Sequence, residues 1–131
     1  MEGRDSDIDF KITLKEDFIL ISASGEYSLS RAKHLFEFSI DQALLHNKRN
    51  ILIDITEITG DIPLLDRFYF SEHLANYKAK HALTKVNKIA VVGQEPIVHK
   101  DRFGETVAVN RGVRARVFTE MSKALAWLNK E

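Results

Sequence analysis

Asn50-Ile51-Leu52-Ile53-Asp54-Ile55 decides the fold. Ile51 to Ile55 is a short, nearly continuous apolar run, with no alternation that would leave one side wet. Such a run suits a strand buried on both faces of a parallel sheet. A parallel strand needs a crossover on each side, so helices are expected before and after it. Upstream, Ala32, Leu35, Phe36, Ile40, Ala43 and Leu44 repeat at helical spacing, which predicts a helix from about Arg31 to Asn47 with Ser28 or Ser30 as its N-cap. Downstream, Thr56 to Pro63 reads as a loop. A helix over about Leu64 to Ala82 follows.

Further out the same alternation continues. Phe10, Ile12 and Leu14 alternate with Lys11, Thr13 and Lys15, the period of a half-buried strand, and Phe18 to Ala23 is a second strand close enough to form a hairpin with it. Ser24-Gly25-Glu26 punctuates its end. Lys88 to Val92 is another buried-type strand. A helix over about Lys100 to Asn110 is capped by Arg111-Gly112, and Ala115 to Phe118 is the last strand. Thr119 is read as the cap of a final helix, whose Met121, Ala124, Leu125 and Leu128 fall on one face. The order is β-β-α-β-α-β-α-β-α. This is an α/β chain with a mostly parallel sheet of about five strands and crossover helices. One domain covers 8–130, behind a polar tail over 1–7.

Composition narrows the chemistry. The 131 residues include no cysteine, which excludes disulfides, thiolate metal sites and a cysteine nucleophile. The 19 basic and 19 acidic residues cancel, although residues 1–66 carry a balance of −6 and residues 67–131 one of +6. Lys100, Arg102, Arg111, Arg114 and Arg116 would serve nucleic acid only if they shared a face. No RNA-binding signature accompanies them, and no nucleic-acid partner is expected. No apolar run reaches the roughly 18 residues of a membrane span, and the start lacks the apolar core of a signal peptide, so a soluble cytoplasmic protein is expected. The six glycines are scattered and form no phosphate-binding loop, and no hydrolase or metalloprotease motif occurs. The five histidines lack metal-ligand spacing, and His73 and His81 read as surface or helix-end residues. Neither metal nor cofactor is expected.

The helix after the central strand is the most informative element. Leu65, Phe68, Tyr69, Phe70, Leu74 and Tyr77 do not fit one stripe, because successive residues point about 100° apart. At least one of the three consecutive aromatics should lie outside the core, where an exposed apolar patch marks a partner or ligand site. In open α/β sheets ligands also bind beyond the carboxyl ends of the strands. The candidate binding residues are therefore Thr59, Asp61, Pro63, Arg67, Phe68 and Tyr69, with Glu95 and His99 from the neighbouring loop. A protein partner or an apolar small molecule is the expected occupant, and a second copy of the chain is a candidate partner. The alternative is a small hydrolase- or isomerase-like enzyme using Asp61, Asp66 and His99, which needs two of them to converge on a substrate.

The run from Asn50 to Gly60, followed by Ile62-Pro63-Leu64-Leu65 and an aromatic helix, resembles the small bacterial SpoIIAA-like proteins, also called the STAS/SEC14 domain family. The tail is similar too: Arg102-Phe103 to Ala108, Asn110 to Val113, Arg116 to Thr119, and Glu120 to Leu128. The resemblance covers nearly the whole chain. It implies a right-handed β-α superhelix with an added N-terminal strand, and a non-enzymatic binding or regulatory role. In anti-sigma-factor antagonists of the wider superfamily a serine in an Asp-Ser-Ser-Gly-like motif is phosphorylated. Here that region reads Thr59-Gly60-Asp61-Ile62-Pro63-Leu64, so the switch is not carried over. The lipid-carrier side of the family implies an apolar ligand.

Overall fold

The computed structural model describes residues 9–63, 65–66, 68–70, 72–73, 86–95 and 114–130. Five strands form one sheet: β1 (Asp9–Leu14), β2 (Ile19–Glu26), β3 (Asn50–Thr59), β4 (Lys88–Val92) and β5 (Arg114–Phe118). They lie in chain order across the sheet. β1 and β2 form the expected antiparallel hairpin, and β2 to β5 run parallel. Two helices complete the labelled elements, α1 (Leu29–Leu45) and α2 (Met121–Asn129). The helix expected over 100–110 lies outside the described residues. That expected over 64–82 does so in part, but Leu65, Asp66, Phe68–Phe70, Glu72 and His73 are helical.

The run Ile51-Leu52-Ile53 is apolar throughout because its side chains enter two different cores. Ile51 and Ile53 join Ile19, Ile21, Ala23 and Ile89 beneath Leu35, Phe36, Ile40 and Ala43 of α1. Leu52 turns the other way, with Ala90 and Val92, onto Ala124 and Leu128 of α2. α1 begins at Ser28, whose Oγ accepts the Arg31 amide at 3.2 Å. Ser39 is fully buried on this helix, and its hydroxyl donates to the Leu35 carbonyl at 2.8 Å. The helix runs Leu29–Leu45, two residues earlier at each end than the expected Arg31 to Asn47, and Asn47, at φ 57°, turns the chain out of it.

Several local expectations are corrected. Thr56 to Thr59 belong to β3, not to a loop, because β2 itself runs on past Ser24-Gly25 to Glu26 and supplies a partner: Ser24 faces Glu57, Gly25 faces Ile58 and Glu26 faces Thr59. The register slips between Ser22 and Ser24, leaving one extra residue on β3. Asp54 stabilises this bulge, its Oδ1 accepting the Thr56 amide at 3.0 Å and the Thr56 hydroxyl at 2.7 Å. Within the bulge Ile55 is half-buried rather than deep. In β1 only Phe10 packs inward, its ring 4.9 Å from that of Phe38. Thr119 does not cap α2; Glu120 holds the N-cap position without a side-chain bond. At the other end of α2, Lys88 of β4 supplies what the sequence did not advertise. Only 2 % exposed, it donates from Nζ to the Trp127 carbonyl at 2.8 Å and to the Lys130 carbonyl, under the Trp127 ring. A cation there complements the negative end of the helix, adding to the bond that the Lys130 amide already donates to the Trp127 carbonyl at 3.2 Å.

Candidate functional site

The site begins where β3 leaves the sheet. The Tyr27 amide donates to the Thr59 carbonyl at 2.9 Å, the last rung of the parallel ladder. Gly60 then takes φ 105°, a conformation that side-chain-bearing residues rarely adopt. Space is not the constraint, since a Cβ there would sit 3.6 Å from Tyr27 Cβ, an ordinary contact. Asp61 follows, its Oδ1 accepting the Ile62 amide at 2.8 Å, and the Asp66 amide closes a turn onto the Pro63 carbonyl at 3.0 Å. Thr59, Asp61 and Pro63 are all exposed on this stretch.

The helical residues after Pro63 divide by face. Asp66, Phe70 and His73, spaced four and three apart, point into the protein. The Tyr27 hydroxyl donates to Asp66 Oδ2 at 3.0 Å, the Phe70 ring meets Phe36 edge-on at 5.9 Å, and His73 Nε2 lies 2.8 Å from Glu37 Oε2. His73, read as a surface or helix-end histidine, is thus half-buried and paired to α1. Burial pushes the Tyr27 hydroxyl well above the usual tyrosine range, and its hydrogen bond to the Asp66 carboxylate and that group's negative charge push it further.

The opposite face carries Leu65, Phe68 and Tyr69, which are 63 %, 55 % and 46 % exposed. The Phe68 and Tyr69 rings stack edge to face at 5.7 Å. Of the three consecutive aromatics, Phe70 packs against the core and two lie outside it, where the 100° spacing had required at least one.

Thr59, Asp61, Pro63, Phe68 and Tyr69 thus stand on one continuous stretch. Glu95 is exposed just past β4, at the same end of the sheet, with no hydrogen bond to that stretch among the described residues. Arg67 and His99 lie outside the described residues. So do Lys100, Arg102 and Arg111; Arg114 and Arg116 are exposed at alternate positions of β5. Asp61 and Asp66 do not form a carboxylate pair: one is turned to its own neighbour's amide and the other is tied to Tyr27. Among the described residues, no group of three or more histidines and carboxylates could hold a metal ion. No helix among them is long and apolar enough to cross a membrane. Tyr27 and Lys88 are the residues that sequence reasoning missed. Tyr27 directly precedes the Ser28 cap and could have been singled out on that ground. Nothing in the sequence around Lys88 distinguishes it from an exposed lysine.

A family model described as SpoIIAA-like matches residues 18–129. An anti-sigma factor antagonist from Mycobacterium paratuberculosis shares the fold with a TM-score of 0.58 at 15 % identity, over 99 % of this chain and 100 % of that one. An uncharacterized DUF3478-family protein with a SpoIIAA-like fold, from Shewanella loihica PV-4, shares it with a TM-score of 0.52 at 22 % identity, over 92 % and 93 %. At these identities the likeness shows the fold. No curated protein matches the chain.

Proposed function

The chain belongs to the SpoIIAA-like family, and on that premise we propose that it is a non-enzymatic binding module whose partner, a protein, docks on Leu65, Phe68 and Tyr69. The observation that carries this reading is the division of the aromatic helical segment. Its inner face is anchored by Asp66, Phe70 and His73, so the exposure of the outer three is not a sign that the segment has failed to pack. Aromatic side chains on an anchored element are the usual centre of a protein interface. Thr59 and Asp61 supply polar groups on the adjoining exposed stretch with Pro63, and Glu95 is exposed past β4 at the same end of the sheet. The anti-sigma factor antagonist that shares the fold is named for action on a protein, and this agrees with a protein occupant.

The test compares wild type with Tyr69→Glu. Affinity purification from the native host, followed by calorimetry with the purified partner, should show binding weakened by about 2 kcal/mol or more, with circular dichroism unchanged. If native mass spectrometry instead finds a small apolar molecule that Tyr69→Glu releases, the face is a ligand site. If Tyr69→Glu keeps every partner and ligand of the wild type, the face does not bind.

A further inference from the structure

β1 is an outer strand of the sheet, and among the described residues it pairs only with β2. Its other edge has no strand partner among the described residues and so presents backbone donors and acceptors. Phe10, Ile12 and Leu14 lie on the same face as Ala23, Ile21 and Ile19, which are buried beneath α1. That apolar row continues beyond the cover of the helix: Ile12 is 38 % and Leu14 is 49 % exposed. On α1, Leu45 lies two turns past Phe38 along one stripe and is 70 % exposed. Since β1 and α1 both run opposite to β2, Leu14 and Leu45 lie toward the same end. The edge thus couples an open ladder to an uncovered apolar strip.

We propose that a second copy of this chain pairs antiparallel with β1 across a two-fold axis at Ile12, joining the two sheets into one. The charges, together with the length of β1 that can be paired, favour one register for a second copy. A two-fold axis normal to the sheet keeps each face on its own side, so only residues of like parity can be opposed. Centring on Lys11 sets that lysine against its own copy, and centring on Thr13 sets Lys11 against Lys15; like charges directly opposite are unfavourable. Centring on Ile12 opposes no like charges. It sets Phe10 against Leu14, Ile12 against itself, Lys11 against Thr13, and Lys15 against position 9, an aspartate in the sequence. Centring on Phe10 or Leu14 also avoids like charges but pairs less of the strand, so the lysines that deter indiscriminate pairing at an edge are here compatible with the self-complementary alignment at Ile12.

The absence of cysteine makes the register directly testable. In the dimer, Ile12→Cys places its thiol opposite its own copy, with Cα atoms about 4.5–5.5 Å apart, and it should oxidise to a covalent dimer. Lys15→Cys would be separated from its copy by about 20 Å along the strands and should not. Sedimentation velocity should show a wild-type dimer. Ile12→Lys should weaken it at least about tenfold with circular dichroism unchanged, since a change at the axis counts in both copies. Lys15→Glu should also weaken it, and Asp9→Lys combined with Lys15→Glu should restore it. The proposal is overturned by a wild-type monomer at the highest soluble concentration, by equal oxidation of the two cysteine variants, or by failure of the double exchange to restore association. Tyr69→Glu should leave the dimer intact; if it dissociates the dimer, the copies meet through the aromatic face and not through β1.

Discussion

Tyr27 joins three parts of the site at one residue: its amide closes the β3 ladder, its Cβ borders the space beside Gly60, and its hydroxyl holds Asp66. Tyr27→Phe keeps the ring and removes the hydroxyl, and should cost about 1 kcal/mol in urea unfolding. The raised ionisation range of Tyr27 gives a second readout. A phenol harder to ionise in the folded chain than in the unfolded one contributes stability that is full below about pH 10 and is lost as pH rises above it. Wild type should therefore lose stability above that pH more steeply than Tyr27→Phe. Ultraviolet titration should show a late-ionising phenol in wild type that Tyr27→Phe removes; a titration curve whose late part is unchanged by the substitution would contradict the Tyr27–Asp66 contact. Thr59 is the hydroxyl nearest the helix start and is exposed, 3.4 Å from the Gly25 carbonyl. A phosphate there would add roughly −1.5 to −2 charge between Glu57 and Asp61, where repulsion opposes it. Phosphoproteomics on the native host should find Thr59 unmodified, and stoichiometric phosphate on it would restore the switch that the missing serine motif argues against.

β3 and α2 show how far elements can be read from sequence. The interior of β3 is legible because both cores demand apolar residues of it. Ile53 is 4 % exposed, and Ile53→Ala should cost about 2–5 kcal/mol by chemical denaturation, where less than about 1 kcal/mol would mean it is not a core residue. The outer half of β3 is not legible, since Thr56 to Thr59 are strand only because β2 extends beside them, and that pairing is non-local. The Ser28 cap and the inward stripe of α2 rest on local chemistry and are visible in the sequence. The support of α2 by Lys88 comes from a strand dozens of residues away and is not. Lys88→Met should remove both carbonyl contacts and the cation beneath Trp127, costing about 2–3 kcal/mol. Trp127 is the only tryptophan, so its emission should shift as the end of α2 loosens; unchanged emission and stability would show that the contact contributes nothing. In the aromatic helical segment, helical periodicity required at least one of the three aromatics to lie outside the core. It did not say which, because that choice depends on Phe36 and Tyr27 in other elements.

The sheet separates two apolar cores that share no side chain: one beneath α1, and one beneath α2 with Leu52, Ala90 and Val92. They are nonetheless built on the same strands, since Leu52 lies between Ile51 and Ile53. Neither layer can be lost without uncovering strands on which the other depends. The chain should therefore unfold as one domain despite having two cores, as small domains of this length generally do. Far-ultraviolet circular dichroism follows all the elements, whereas Trp127 fluorescence reports the α2 side alone, where its ring lies 5.8 Å from that of Phe118. The two transitions should coincide in wild type. Ile53→Ala, on the α1 side, should lower the midpoint of the fluorescence transition as much as that of the dichroism, although its side chain faces away from Trp127. A fluorescence midpoint that stays at the wild-type value while the dichroism midpoint falls would show that the two layers melt separately and that the sheet does not couple them.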